Sequence, residues 1–185
     1  MRRRDFISTL AGAAVALPFT GRAQQTSSIR NIAVVIGTQD DAEGQARLAA
    51  LADALGQLGW QEGRNVHLTV RYTAGSIDLA KTAAVQVTAS LPDIIVANTN
   101  PVVLALKEQT RDIPIVFAQI SDPLSTGIVD SLSHPGGNVT GFSSAEFSIT
   151  TKCLEILRDL VPGLQRIGTL RDPSSPASMG QVGAL

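Results

Sequence analysis

Asn31-Ile32-Ala33-Val34-Val35-Ile36-Gly37 is the stretch that decides the fold. Its apolar residues are consecutive, mostly β-branched, and do not alternate with polar ones. Such a run suits a strand covered on both faces, as parallel sheets require. Leu48, Leu51, Leu55 and Leu58 follow at spacings of three, four and three, one face of a helix, and Gly59 suits the position just past its end. The strand-helix unit then recurs. Asn65 to Tyr72 alternates as a second strand. Leu79, Ala83, Val87 and Leu91 line a second helix capped by Ser76 or Asp78. Pro92 to Ala97 is a third strand. Asn100 is a cap with Pro101 at the first helical position of a helix reaching Thr110. Ile113 to Ala118 is a fourth strand, followed by a short helix near Pro123 to Leu132 capped by Ser121 or Asp122. His134-Pro135-Gly136-Gly137 is a turn, and Asn138 to Phe142 a fifth strand. Glu146 to Val161 is a helix with Cys153, Ile156, Leu157 and Leu160 on its apolar side, stopped by Pro162-Gly163. Arg166 to Leu170 reads as a sixth strand.

Strands separated by helices imply an α/β fold with a doubly wound parallel sheet. In such sheets ligands sit outside the carboxyl ends of the strands. Those ends are Gly37 to Asp40, Ala97 to Asn100, Ala118 to Asp122 and Gly141 to Ser144. Three of the four are rich in neutral hydrogen-bonding side chains, and none carries Lys or Arg. This suits a small polar or zwitterionic ligand better than a phosphate.

Composition narrows the function classes. Of 185 residues 44% are hydrophobic and 17% charged, enough apolar residue for a real core. The formal net charge of -1 and an aromatic content of 4% argue against nucleic-acid binding. Nucleotide-phosphate loops of the G-x-G-x-x-G or G-x-x-x-x-G-K-[ST] type are absent, as is a G-x-S-x-G elbow. His67 falls in an alternating strand and His134 in the Pro-Gly turn, neither with a nucleophile or carboxylate at motif spacing. Cys153 is expected to be a small buried hydrophobe. Trp60, directly after Gly59, is expected to cover a helix end. Asp40-Asp41 fits helix capping better than metal ligation. Asp122 fits capping and ligand contact equally. No catalytic residue, metal or cofactor is expected.

The amino terminus reads as an address. Arg2, Arg3 and Arg4 precede the apolar Leu10 to Leu17, Pro18 breaks that run, and Gly21 and Ala23 are the small residues of a cleavage site. Arg3-Arg4-Asp5-Phe6-Ile7 fits the twin-arginine export pattern. Removing residues 1–23 takes four Arg and one Asp from 15 basic and 16 acidic residues. The remaining 11 and 15 give a mildly acidic, exported chain of net charge -4.

Several motifs together resemble a known family. They are Gly59-Trp60-Gln61-Glu62-Gly63-Arg64-Asn65-Val66, Ile113-Pro114-Ile115-Val116-Phe117, Ser121-Asp122-Pro123 with Gly127, His134-Pro135-Gly136-Gly137-Asn138-Val139-Thr140-Gly141, and Lys152-Cys153-Leu154-Glu155-Ile156-Leu157 with Leu160-Val161-Pro162. In order and spacing they are similar to the substrate-binding proteins of ABC transporters, periplasmic receptors of the type I binding-protein fold. The resemblance implies two α/β lobes closing on a small ligand. Residues 30–140 would be lobe one, with 141–185 forming the hinge and the start of an incomplete lobe two. It implies ligand contacts at Thr38, Gln39, Asn98, Thr99, Gln119, Asp122 and Ser143, an amino-acid-like ligand, and an inner-membrane ABC permease as partner. Family members continue through the rest of lobe two and return to lobe one, so a non-functional fragment of such a receptor is the alternative. An exported flavodoxin-like enzyme is a third reading, disfavoured by the missing nucleophile-base pair and phosphate loop.

Overall fold

A computed structural model describes residues 29–170, 180, 182 and 183. The expected signal peptide lies outside the described residues. Five parallel strands form one sheet in the order β2-β1-β3-β4-β5. They are β1 (Arg30–Ile36), β2 (Val66–Tyr72), β3 (Ile94–Asn98), β4 (Ile115–Ser121) and β5 (Val139–Ala145). The helices are α1 (Ala42–Gln57), α2 (Ile77–Ala89), α3 (Asn100–Gln109) and α4 (Ser148–Leu160). The chain leaves β1 toward β2 and returns to place β3 on the other side of β1. The order therefore reverses between β1 and β3, where open α/β sheets hold their ligands.

Alternate residues of the sheet meet different surroundings. Ala33 and Val35 of β1, Ile95 and Ala97 of β3, and Ile115 and Phe117 of β4 join one buried cluster with Ala80, Ala83, Ala84 and Val87 of α2 and Val102, Val103 and Leu106 of α3. On the other side, β1 residues Val34 and Ile36 are buried, Val96, Val116 and Ala118 are half-buried, and Phe142 is 77% exposed. Only Gly44 of α1 is buried, and Leu48, Leu51 and Leu55 are half-buried.

The caps follow side-chain chemistry. Asp41 precedes α1, and its Oδ1 accepts from the N–H of Glu43 and Gly44 at 3.1 and 2.9 Å. Ser76 caps α2 by accepting from Leu79 N–H. Leu58 closes α1, with Gly59 at φ 89° beyond it.

Six expectations are corrected. Asn100 is the first residue of α3 and not its cap, which is Thr99. Its side chain turns instead to β4, where Nδ2 donates to Ser121 O and Oδ1 accepts from Ser121 N–H. Residues 123–132 form turns and bends and no helix. There the chain is bound to itself through the Pro123 carbonyl, which accepts from Ile128 and Val129, and its bends leave no room for a helical ladder. The packed side of α2 keeps the expected Ala83 and Val87, and Ala80 and Ala84 complete it in place of Leu79 and Leu91. Leu79 and Leu91 are exposed while Ala80 and Ala84 are buried, because small side chains let α2 lie close to α3 and the sheet. Residues 166–170 make no strand, since no described neighbour offers them a ladder. The apolar side of α4, with Cys153, Ile156, Leu157 and Leu160, is exposed and not buried. Trp60 is 40% exposed, less of a cover than expected.

Candidate functional site

The carboxyl edge of the sheet is held together by side chains that reach from strand end to strand end. Asn98, ending β3, uses Oδ1 to accept from Gly37 N–H at 2.6 Å, which ties it to the end of β1. A Cβ at Gly37 would lie 2.2 Å from Thr99 Oγ1, so no side chain fits there. Thr73, 1% exposed, donates from Oγ1 to Gly37 O, and Ala74 and Gly75 N–H donate to the carbonyls of Thr38 and Gly37. These bonds dock the loop after β2 onto the same edge.

Backbone strain gathers here. Among the described residues, five that are not glycine have positive φ. Ala74, Thr99, Gln119 and Asp122 lie at the carboxyl edge, and only Leu91 lies elsewhere. Each such residue costs about 1 kcal/mol or more, and strain of this kind collects at functional loops. Thr38 Oγ1 and Tyr72 Oη are buried and unpaired within the described protein. Burial, followed by the charges of Asp40 and Asp41, holds the Tyr72 phenol above its ordinary pKa, so it stays a neutral donor.

Asp122 is committed to the backbone. Oδ1 accepts from Ser125 N–H at 2.9 Å and Oδ2 from Phe147 N–H at 3.2 Å, while its own N–H donates to Ala145 O. Burial opposes ionisation, but the donors at Ser125 and Phe147 outweigh it and hold the carboxyl below its usual range. Asp122 therefore staples the end of β4 to the segment between β5 and α4. Ser143 is exposed and paired in the β5 ladder with Ile120, across an irregular register. Gln39 is exposed one residue beyond Thr38. The structure thus brings Thr38, Asn98, Thr99 and Gln119 to three adjacent strand ends, and sets Asp122 and Ser143 at the β4–β5 side.

A cavity of about 330 Å³ opens beside this edge, between α1 and the sheet. Leu48, Leu51, Val96 and Ala118 form its apolar wall, and Asn98, Gln119 and Arg47 its polar part. Arg47 is the residue that sequence reasoning missed. Its guanidinium donates to Gln119 Oε1 and to Glu43 Oε1. Four residues from Glu43, it reads in sequence as an ordinary helix-surface pair. Thr73 and Tyr72 were also missed, because nothing in an alternating strand marks its last residues as the floor of a loop.

Neither histidine lies at this edge. His67 Nδ1 lies 2.8 Å from Glu62 Oε1, both exposed, and His134 sits in a serine-rich turn. The motif from His134 to Gly141 lies at the opposite end of the sheet, ahead of and within β5. There Asn138 Nδ2 donates to Ile113 O at 2.7 Å, and a Cβ at Gly141 would meet Phe117 O at 2.0 Å. That motif supports the start of β5, away from the carboxyl edge.

Doubly wound parallel sheets of this kind hold small ligands outside the carboxyl ends of their strands. The chain belongs to the family described as ABC transporter substrate binding protein, whose model matches residues 31–185. It is 31% identical over 132 residues to the tyrosine-binding protein of Clostridioides difficile, covering 71% of this chain and 38% of that one. It resembles a solved conserved domain protein from Vibrio cholerae with a TM-score of 0.73 at 28% identity, covering 84% of this chain and 52% of that one. A Streptococcus pneumoniae ABC domain in complex with L-Trp matches with a TM-score of 0.72 at 27% identity, over the same shares. The fold is that of type I periplasmic binding proteins, and the chain spans about half the length of these structures.

Proposed function

We propose that this chain is the ligand-binding part of an exported solute receptor that takes up a small amino-acid-like ligand and presents it to an ABC permease. The observation that carries the reading is the carboxyl edge at the β1–β3 reversal. There neutral donors and acceptors, strained backbone and a cavity converge without a nucleophile paired to a base among the described residues. Relatives named for tyrosine and L-Trp favour an amino acid as ligand. Export follows from the amino-terminal pattern, with residues 1–23 removed on the way to the periplasm. Residues 30–140 act as lobe one and the segment from 141 onward as the hinge into a second lobe, with Asp122 pinning that crossover. Closure of the lobes is the signal a permease reads. Affinity comes from hydrogen bonds by Thr38, Gln39, Asn98, Thr99, Gln119 and Ser143 and from desolvation, and no bond of the ligand is broken.

A thermal-shift titration with L-tyrosine, L-tryptophan and L-leucine, followed by chromatography of the recovered compound, tests this. A raised melting temperature with the compound recovered intact is expected. Chemical conversion of the bound compound contradicts the receptor reading.

A further inference from the structure

We infer that a second cavity, at the amino end of the sheet between the end of α3 and the turn before β5, binds a phosphate group. Its volume is about 310 Å³, and Lys107, Arg111, Asp130, Gly136, Gly137 and Asn138 are among the residues that line it. Crossover helices run opposite to the strands, so α3 starts at the carboxyl edge and delivers Lys107 and Arg111 to the other end. The seven residues of β5 set this cavity about 20 Å from the carboxyl edge. One small solute does not reach both, so the inference goes beyond the receptor reading and does not rest on it.

Three observations carry it. First, Lys107 and Arg111 against Asp130 leave the cavity with a net positive charge, in a chain whose overall charge is -1. Second, donors gather there without protein acceptors. Lys107 is fixed in place, its Nζ donating to Gly127 O at 2.8 Å and to Ile128 O at 2.6 Å, which leaves its third N–H for a ligand. Among the described residues Arg111 has no hydrogen-bond or ion-pair partner, and the N–H groups of Gly136 and Gly137 meet no protein acceptor. Both glycines hold left-handed backbone, at φ 75° and 58°, and successive N–H groups in such turns form concave anion sites. Third, the turn is anchored. Asn138 Nδ2 donates to Ile113 O at 2.7 Å and to Thr110 O at 3.3 Å, which ties it to the residue before Arg111, and Asp130 N–H donates to Pro135 O at 2.9 Å. Residues Pro135 to Val139 all line the cavity, so the motif that starts β5 also forms this wall.

A phosphate has oxygens and charge enough to meet a guanidinium, an ammonium and the turn together, whereas a carboxylate has two oxygens and one charge. Asp130 opposes it. Its carboxylate lies against Gly136, where a Cβ would sit 2.3 Å from Oδ2, and it repels an anion in the cavity.

The test is an amide-resolved NMR titration of the full chain, in phosphate-free buffer at matched ionic strength, with inorganic phosphate and separately with acetate. Phosphate is expected to give saturable shifts at Arg111, Gly136, Gly137 and Asn138, with Gly37, Thr38 and Asn98 unmoved, and acetate to bind about tenfold more weakly or less. Arg111→Gln replaces an exposed side chain and should melt as the wild type while binding phosphate about tenfold more weakly, with Arg111→Lys keeping part of the affinity. Asp130→Asn should tighten phosphate binding about threefold by removing the like charge. Phosphate shifts that do not saturate or that centre elsewhere would overturn the assignment, and so would undiminished affinity in folded Arg111→Gln. Acetate bound as tightly as phosphate would overturn the phosphate class.

Discussion

Ile95 and Val96 are neighbours in β3, yet they live in different environments. Ile95 points to the face covered by α2 and α3 and is fully buried, while Val96 points to the face of α1 and lines a cavity. The difference runs along the whole sheet. On the first face small alanines of α2 and the valines of α3 close the core. On the second, among the described residues, one helix, α1, borders the sheet, and β4 and β5 are less covered as far as Phe142. A continuous apolar strand says that both faces want cover, but not how much cover each receives. The face that carries stability and the face that borders the site are thus different surfaces of the same five strands.

The largest expected effect separates the two faces directly. Ile95→Ala removes a fully buried side chain from the closed face and should cost about 2–4 kcal/mol. Val96→Ala beside it should cost less than about 1 kcal/mol, because its side chain already borders open space. Urea denaturation midpoints check the pair, and equal losses would abolish the distinction. Next comes Gly37→Ala, which forces a methyl group against Thr99 and should destabilise by about 1–3 kcal/mol. Paired with Thr99→Gly it should recover most of that loss, in the same denaturation experiment.

Asp122→Asn should have a smaller effect that depends on pH. The folded protein holds this carboxyl below its ordinary pKa, so its contribution is present above the unfolded value near pH ~4 and fades as pH falls through the lowered folded value. The difference in stability between wild type and Asp122→Asn should therefore be full at neutral pH and shrink in acid. A difference that stays constant from neutral pH down to strong acid would remove Asp122 from this role. Smallest of all is Phe142→Ser on the open face. Its ring is already in solvent, so the melting temperature should hardly move while binding of a hydrophobic dye falls.

The same two faces show what could be read from the chain alone. The strand β1, the α/β alternation, the parallel sheet and the caps at Asp41 and Ser76 were legible because each is a local pattern of period, polarity or turn chemistry. The burial of α4 was not. Its apolar side is as regular as any helix in the chain, but periodicity reports what a helix could bury and cannot supply the surface to bury it against. Residues 166–170 misled for the same reason. At the site, the strand-end loops followed from topology, and so did the neutral character of Thr38, Asn98 and Gln119. Arg47 did not, because it reaches the edge from the second turn of a helix, and its meeting with Gln119 is a tertiary contact between residues 72 positions apart. Asp122 was evenly balanced in sequence between cap and ligand contact. In the folded chain both of its carboxylate oxygens accept backbone N–H groups.

In the proposed receptor the carboxyl edge at the β1–β3 reversal receives the ligand. An amide-resolved NMR titration of the full chain with L-tyrosine tests it most directly. Shifts confined to Gly37, Thr38, Asn98, Thr99, Gln119 and their neighbours are expected, with the turn at Gly136 and Gly137 unchanged. Shifts centred on that opposite end of the sheet, or none at saturating L-tyrosine, L-tryptophan and L-leucine, would contradict it.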